Sequence, residues 1–418
     1  MSLREFLNEI NVVRIQEKVD PYLEIAKILN ENDGRVVIFD KVENSRFKVV
    51  GNVCSSRENF AKALGVKKGN LLKKISNAIK KPEEPTIVNK GACQEVTEKN
   101  VDLSKLPILT YTRRDMGPYI TSGVFIASDP EYGINASFHR ASLISKDRLV
   151  ARICQRDLYK YIERSKNELD VAICIGLHPS ILLSAAISAD ISVNELTIAN
   201  SLKKLELVKC KTNDLLVPVN SEIVLEGKIT KERYEEGPFP DVTRTYDIVR
   251  DEPIIEINCI THRKNPIYQA LLPASREHEL LMGMPREPVI YNSVNKVCRC
   301  KDVLLTHGGC SWLHGVVQIE KINPKDGKSA IEAALKAHPS MKHVIVVDDD
   351  INIHNPEEVE WAIATRFQAG NDLIRKREKG SSLDPSAGED RITYKMGLDA
   401  TIPFNRPKKK FEKISLGE

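Results

Sequence analysis

The sequence predicts an α+β protein in three regions: an N-terminal α/β region over residues 1–99, a central β-rich region over 100–296, and a C-terminal α/β region over 297–418. Three observations predict it. Helix caps and strand signals alternate through residues 1–90. Short β-rich runs, separated by Gly, Pro, Asn and Asp, fill the middle. Strand–helix alternation returns after Val297. A length of 418 residues suits two or three domains.

The elements follow in order. Ser2 with Glu5 is a capping-box pattern before a short helix. Asp20-Pro21 opens a second helix that ends near residues 30–34. Residues 35–40 and 47–52 read as strands, and Ser56 starts a helix that Gly65 stops. Residues 80–91 carry Pro82 and Pro85 and read as a linker. Residues 119–127, 134–145, 149–154, 223–229 and 254–261 read as strands of a barrel or sandwich, with helices inserted over 179–205. Residues 171–189 hold no Asp, Glu, Lys or Arg, but His178-Pro179 interrupts them. A buried strand over 171–175 and a helix from Pro179 fit this better than a membrane span. Residues 315–322 and 343–347 read as strands, and 327–337 and 356–367 as helices. The tail from Arg406 is basic and reads as a solvated surface segment.

Composition excludes several classes. Hydrophobic residues are 41% and charged residues 29%, which rules out collagen-like, disordered and disulfide-scaffold chains. With 62 basic and 58 acidic residues the net charge is +4, too even a balance to steer nucleic acid. Met1 to Ile10 has no apolar signal-peptide core, and nine cysteines is an odd number, so reduced thiols and a cytoplasmic location are expected.

Some motifs carry little. Cys298, Cys300, His307, Cys310 and His314 resemble a metal cluster in composition, but their spacing matches no standard zinc module and reads as buried thiols. Glu277-His278-Glu279 lacks the second histidine of a metalloprotease helix. Asp348-Asp349-Asp350 fits either a divalent-ion site or a strand-to-helix turn, and the sequence leaves both open. No dinucleotide or P-loop glycine motif is present.

Three pieces are more informative. Asn135 to Arg140, with Arg148, Arg152 and Arg156 after it, places arginines at a density that suits an oxyanion. Asn135 and Arg140 would face opposite sides of a straight strand, so a bend is required to bring them together. Glu195 follows Asn194 where a helix should start. Glu236-Gly-Pro-Phe-Pro-Asp241 holds two carboxylates across a rigid turn, a pattern open to acid–base chemistry or to a plain acidic turn.

At these residues the chain resembles the UbiD family of prenylated-FMN-dependent decarboxylases. The resemblance spans residues 30–402. It also includes Val217 to Gly227, Val344 to Asn352, Trp361 to Arg366 and Lys395 to Thr401. It implies a central split β-barrel that binds the flavin, with the C-terminal α/β domain used for oligomer contacts in a homodimer or homohexamer. It implies prenylated FMN held through its phosphate, with Mn2+ and, in part of the family, K+. By resemblance Asn135 and Glu195 are metal ligands, and Arg140, Glu236 and Asp241 form the catalytic triad. Asn135, Phe138, His139, Arg140, Arg152, Ile153, Cys154, Arg156 and Lys395 fall on cofactor-contact positions. A histidine found in many members is absent, and Gln155-Arg156-Asp157 stands in that stretch. The metal shell is then left to cofactor phosphate, water or Gln155. Pro240 stands where many members have glycine.

The implied chemistry is non-oxidative decarboxylation. Loss of CO2 from a vinylic or aryl carbon leaves an unstabilised carbanion, so a cofactor must serve as electron sink. A separate flavin prenyltransferase would supply that cofactor. The compact form is similar to archaeal members, some of which convert trans-anhydromevalonate 5-phosphate to isopentenyl phosphate and CO2. A small phosphorylated unsaturated acid would need further cations, and Arg113, Arg114 and Arg244 are available. The alternatives are an aromatic acid such as a polyprenyl-hydroxybenzoate, or a non-catalytic accessory subunit of the same fold.

Overall fold

The computed structural model describes residues 1–166 and 168–414, and the end of the basic tail lies outside the described residues. The chain forms two compact units. The first is Met1–Asp241 with Thr245–Leu281, and the second is Val242–Arg244 with the chain from Met282 onward.

The first unit opens as its caps dictate. Ser2 Oγ accepts the Glu5 N–H at 3.1 Å and starts the helix Leu3–Asn8. Ser56 does the same for Arg57–Ala63, and Gly65 follows in the left-handed region at φ 64°. The helix expected at Asp20-Pro21 begins later, as Glu24–Glu31, because Asp20 Oδ1 accepts the Tyr22 N–H at 2.8 Å and spends those residues on a turn.

A four-stranded sheet joins Val12–Val19, Val36–Val42, Lys48–Gly51 and Ile267–Gln269 in that order. The edge strand Val12–Val19 was not among the expected strands, since its Arg, Gln, Glu and Lys mask the apolar alternation. The last strand comes from the far end of the central region, so one compact unit holds both the N-terminal sheet and the β-rich region. The expected linker contains a strand too: Thr86–Val88 pairs in parallel with Glu206–Lys209.

The central region is a nine-stranded antiparallel sheet in which eight strands form a path that does not close on itself, the split form of a barrel, and Val96–Glu98 pairs off that path with Arg250–His262. Its spine is the pair Ile223–Glu236 and Arg250–His262, whose register shifts twice. Such bulges bend and coil the strands. At Gly227, beside one shift, a Cβ would sit 2.1 Å from the Glu256 carbonyl oxygen, so only glycine lets the strands approach. Phe125, Ile173, Leu225, Ile255 and Tyr119 pack inside. Pro179–Ala185 is wholly buried beneath an N-cap from His178, and Glu195–Leu202 follows under an Asn194 cap. No helix among the described residues is long and apolar enough to cross a membrane.

The second unit holds a five-stranded sheet with Arg299–Leu305, His314–Glu320, His343–Asp348, Ile392–Asp399 and Leu373–Lys379 in spatial order. Here the acidic run resolves as a turn. The buried Arg366 guanidinium reaches Asp348 at 3.0 Å and Asp350 at 2.6 Å, which uses both carboxylates as a structural ion pair. Among the described residues no group of three or more His, Cys, Asp or Glu side chains is placed to hold a metal ion. All nine cysteines are free, and Cys154 is exposed.

One buried acid ties the N-terminal sheet to the end of the unit. Glu277, in the helix Arg276–Gly283, accepts the Cys54 N–H at 2.8 Å. Burial raises its pKa from 4.5 to about 8, against the pull of backbone N–H groups. A raised carboxyl contributes stability that is present below pH 4.5 and lost as pH rises through about 8. Glu277→Gln keeps the acceptor and cannot ionise. Its melting temperature relative to wild type should rise between pH 5 and 8.5. A difference that is flat with pH would contradict this.

Candidate active site

The site is built around a corner. The strand Gly133–Phe138 lies antiparallel to Val124–Asp129, the chain turns at His139-Arg140, and Ala141–Leu143 departs toward another neighbour. The chain therefore bends between Asn135 and Arg140, which enter two different clusters.

Arg140 sits in an acid clamp. Its Nε donates to Glu236 Oε1 at 2.7 Å and its Nη2 to Glu236 Oε2 at 2.9 Å. Nη2 also reaches Asp247 Oδ2 at 3.1 Å, while Nη1 approaches Asp241 Oδ2 only to 3.9 Å. Burial disfavours the Arg140 charge, but Glu236, Asp247 and Asp241 more than restore it, so its pKa is raised. Glu236 is fully buried at the end of its strand and also accepts the Tyr119 hydroxyl at 3.0 Å. Gly237 follows at φ 99° and turns the chain sharply into the pair Phe239–Pro240 and Tyr246–Asp247. That hairpin returns Asp247 to the clamp. Asp247 also pairs with Arg250 at 2.7 Å. Burial raises its pKa, and Arg250 and Arg140 overcome that and leave it lowered. His278 is held below the usual histidine range by burial, with Arg140 adding to this and Asp241 opposing it.

The second cluster is Asn135 with Glu195. Glu195 is the first residue of its helix, yet its side chain is buried. It accepts the Ala136 N–H at 2.8 Å and lies 3.2 Å from the Asn135 amide. Burial pushes its carboxyl up to about 7, against those hydrogen bonds. A desolvated carboxylate beside an amide is a hard oxygen pair, which suits Mn2+ or another hard cation. Two side chains do not fill a shell, so a bound phosphate and water would supply the rest.

The remaining expected residues divide. His139 Nδ1 donates to the Arg152 carbonyl at 3.0 Å. The Arg152 guanidinium reaches Glu252 at 2.5 Å, and Glu252 also accepts the Ile153 N–H at 3.1 Å. Phe138 ends its strand half-buried, while Cys154, Gln155 and Arg156 are exposed, and Arg156 offers a cation suited to a phosphorylated cofactor. Lys395 is different. It is buried in the C-terminal unit, where it donates to the Pro339 carbonyl at 2.5 Å and pairs with Glu378 at 3.1 Å. Arg113 and Arg114 are exposed, and the Arg114 guanidinium stacks 4.1 Å over Tyr246. Arg244 belongs to the second unit, with His307 3.3 Å away.

Tyr119, Asp247 and His278 beside Arg140, and Glu252 on Arg152, are not among the residues the sequence singles out for the site. Only Asp247 had a legible signal, because a hairpin after Glu236 must return a residue to the same edge.

A clamped arginine beside three acids, on a split barrel, is an arrangement suited to a carboxylate substrate. Residues 6–79, 86–276 and 279–400 match the N-terminal, Rift-related and C-terminal domains of 3-octaprenyl-4-hydroxybenzoate carboxy-lyase. The chain belongs to the UbiD family of carboxy-lyases. Anhydromevalonate phosphate decarboxylase of Methanothermobacter thermautotrophicus is 43% identical and is covered, like this chain, over 100% of its length. That of Methanocaldococcus jannaschii is 45% identical, with 99% of each covered. The UbiD-class enzyme HmfF from Pelotomaculum thermopropionicum, solved with FMN, superposes with a TM-score of 0.97 at 41% identity, covering 100% of this chain and 98% of that one. Klebsiella pneumoniae 3,4-dihydroxybenzoic acid decarboxylase gives 0.92 at 25% identity, covering 100% and 97%.

Arg140→Ala strands Glu236 as a buried, unpaired carboxylate. Denaturant unfolding should show a loss of about 3–5 kcal/mol. A loss below about 1 kcal/mol, the range of surface pairs, would show the clamp to be solvated.

Proposed function

We propose that the chain decarboxylates trans-anhydromevalonate 5-phosphate to isopentenyl phosphate and CO2, with prenylated FMN and Mn2+ as cofactors. The relatives of this name, similar over their full length, support the substrate. HmfF, which has been solved with FMN and, in an evolved dimeric form, with prFMN, supports the flavin. One observation carries the assignment of roles: the clamp uses Nε and Nη2 of Arg140 and leaves the Nη1 edge for a substrate carboxylate.

When bound, the flavin supplies the electron sink that no side chain offers. Arg140 holds the carboxylate and fixes its direction. Glu236 and Asp247 keep the guanidinium charged and rigid. Asp241 is the acid with solvent access, since its side chain is 21% exposed while that of Glu236 is 0%. Asp241 therefore takes up the proton from water and, with Glu236, delivers it to the carbon that lost CO2. Asn135 and Glu195 would hold Mn2+, which would offset the charge of the cofactor phosphate, with K+ adding to this and Arg152 and Arg156 as flanking cations. Arg114, stacked beside the clamp hairpin, is the cation we assign to the substrate phosphate. The cytoplasm, a flavin prenyltransferase as supplier and a homodimer or homohexamer complete this reading.

The test uses protein co-expressed with a flavin prenyltransferase, and follows CO2 release from the phosphorylated acid beside aryl and cinnamic acids. The phosphorylated acid should turn over and the aromatic acids should not. The opposite pattern would move the substrate to the aromatic class. Bound flavin with no turnover of any acid would favour an accessory subunit. Asp241→Asn should keep the flavin spectrum and lose about 100-fold or more in kcat. Arg114→Ala should raise KM for the phosphorylated acid about tenfold with kcat retained. An unchanged KM would remove Arg114 from the phosphate site.

A further inference from the structure

Asn135, Ser137 and His139 leave one face of the chain at two-residue intervals and touch in series. The Asn135 amide lies 2.9 Å from Ser137 Oγ, and Ser137 Oγ lies 3.0 Å from His139 Nε2. His139 Nδ1 lies 3.0 Å from the Arg152 carbonyl oxygen.

Hydrogen counting gives the series a direction. A carbonyl only accepts, so Nδ1 carries the ring proton. The ring packs edge-on against Phe125 at 5.1 Å. Its enclosure, and the nearby charges of Arg156 and Arg152, lower its pKa to about 4, against the hydrogen bond to the Arg152 carbonyl. Neutral His139 therefore presents a lone pair at Nε2, and the Ser137 hydroxyl proton goes there. Ser137 Oγ is left with only lone pairs to offer Asn135.

The amide orientation now matters. As placed, Asn135 Nδ2 faces Glu195 at 3.2 and 3.4 Å and Oδ1 faces Ser137. Those separations are long for a charge-assisted bond, which is usually about 2.8 Å. The Oδ1–Ser137 contact then opposes lone pair to lone pair. Turning the amide by a half-rotation lets its NH2 donate to Ser137 and satisfies every group in the series. It also sets the amide oxygen against the Glu195 carboxylate, whose Oε2 is already fixed by the Ala136 N–H at 2.8 Å. Two oxygens so placed repel each other unless a cation lies between them.

We infer that Ser137 and His139 are positioning residues that hold the Asn135 amide oxygen toward the metal. The inference rests on the proposed Mn2+ site and deepens it. An ordered amide makes the most of a cluster that offers only two side-chain ligands, Asn135 and Glu195.

A double-mutant cycle tests this on the flavin-loaded protein. Mn2+ affinity is read from bound Mn2+ after dialysis against graded free Mn2+, with circular dichroism to check the fold. Ser137→Ala should weaken Mn2+ binding by about 10- to 100-fold. Ser137→Thr keeps the hydroxyl and should retain affinity. Asn135→Asp presents oxygen in either orientation and needs no orienting. In that background Ser137→Ala should change affinity by less than about twofold.

Unchanged affinity of Ser137→Ala in the natural background overturns the inference and leaves the metal site standing. An equal loss in both backgrounds overturns it too, in favour of Ser137 as a ligand itself. Failure of Asn135→Asp to bind Mn2+ counts against it in the same way. A wild-type protein that takes up no Mn2+ overturns the metal site, and the inference with it.

Discussion

The Arg140–Glu236 pair is the interaction on which the site depends. Glu236 has no solvent of its own, so its charge is tolerable only while the guanidinium grips both oxygens. That grip requires the corner at His139-Arg140 on one strand and the end of Ile223–Glu236 on another. The bulged spine and its close approach at Gly227 shape the strand that ends there. Tyr119 and Asp247 close the two remaining sides. The arginine leaves Nη1 with no contact closer than the 3.9 Å approach of Asp241, because its other donors are already committed.

The two clusters solve opposite electrostatic problems with the same strand. At its end, Arg140 is surrounded by acids that stabilise its charge. Near its start, Asn135 meets a Glu195 carboxylate that burial leaves poorly solvated and without a counter-charge among its hydrogen-bond partners. A cation would relieve that cost, which supports the metal site proposed there. Placing Glu195 at the first turn of a helix helps as well, since the helix N-terminus favours a negative charge.

Much of this was legible in the sequence wherever the controlling physics is local. Ser2 and Ser56 cap where their side chains reach the third N–H, and Pro179 marks a first helical turn. The family resemblance carried Asn135, Glu195, Arg140, Glu236 and Asp241, and the structure brings them together as two clusters. What escaped was non-local. Tyr119 meets Glu236 across 117 residues of sequence, and Arg152 meets Glu252 across 100. No spacing rule connects such positions. The edge strand Val12–Val19 was hidden because it needs few apolar residues, and Thr86–Val88 because Pro82 and Pro85 run directly into it. Asp348 to Asp350 were ambiguous until the buried Arg366 supplied their counter-charge.

The central claim is that Arg140 is clamped before substrate arrives and takes the carboxylate on its Nη1 edge. A crystal structure of the flavin-loaded protein with an unreactive saturated analogue of the phosphorylated acid tests it directly. The account predicts the analogue's carboxylate on Arg140 Nη1, near Asp241, with both Glu236 hydrogen bonds intact. A carboxylate that displaces Glu236, or that binds away from Arg140, would contradict it.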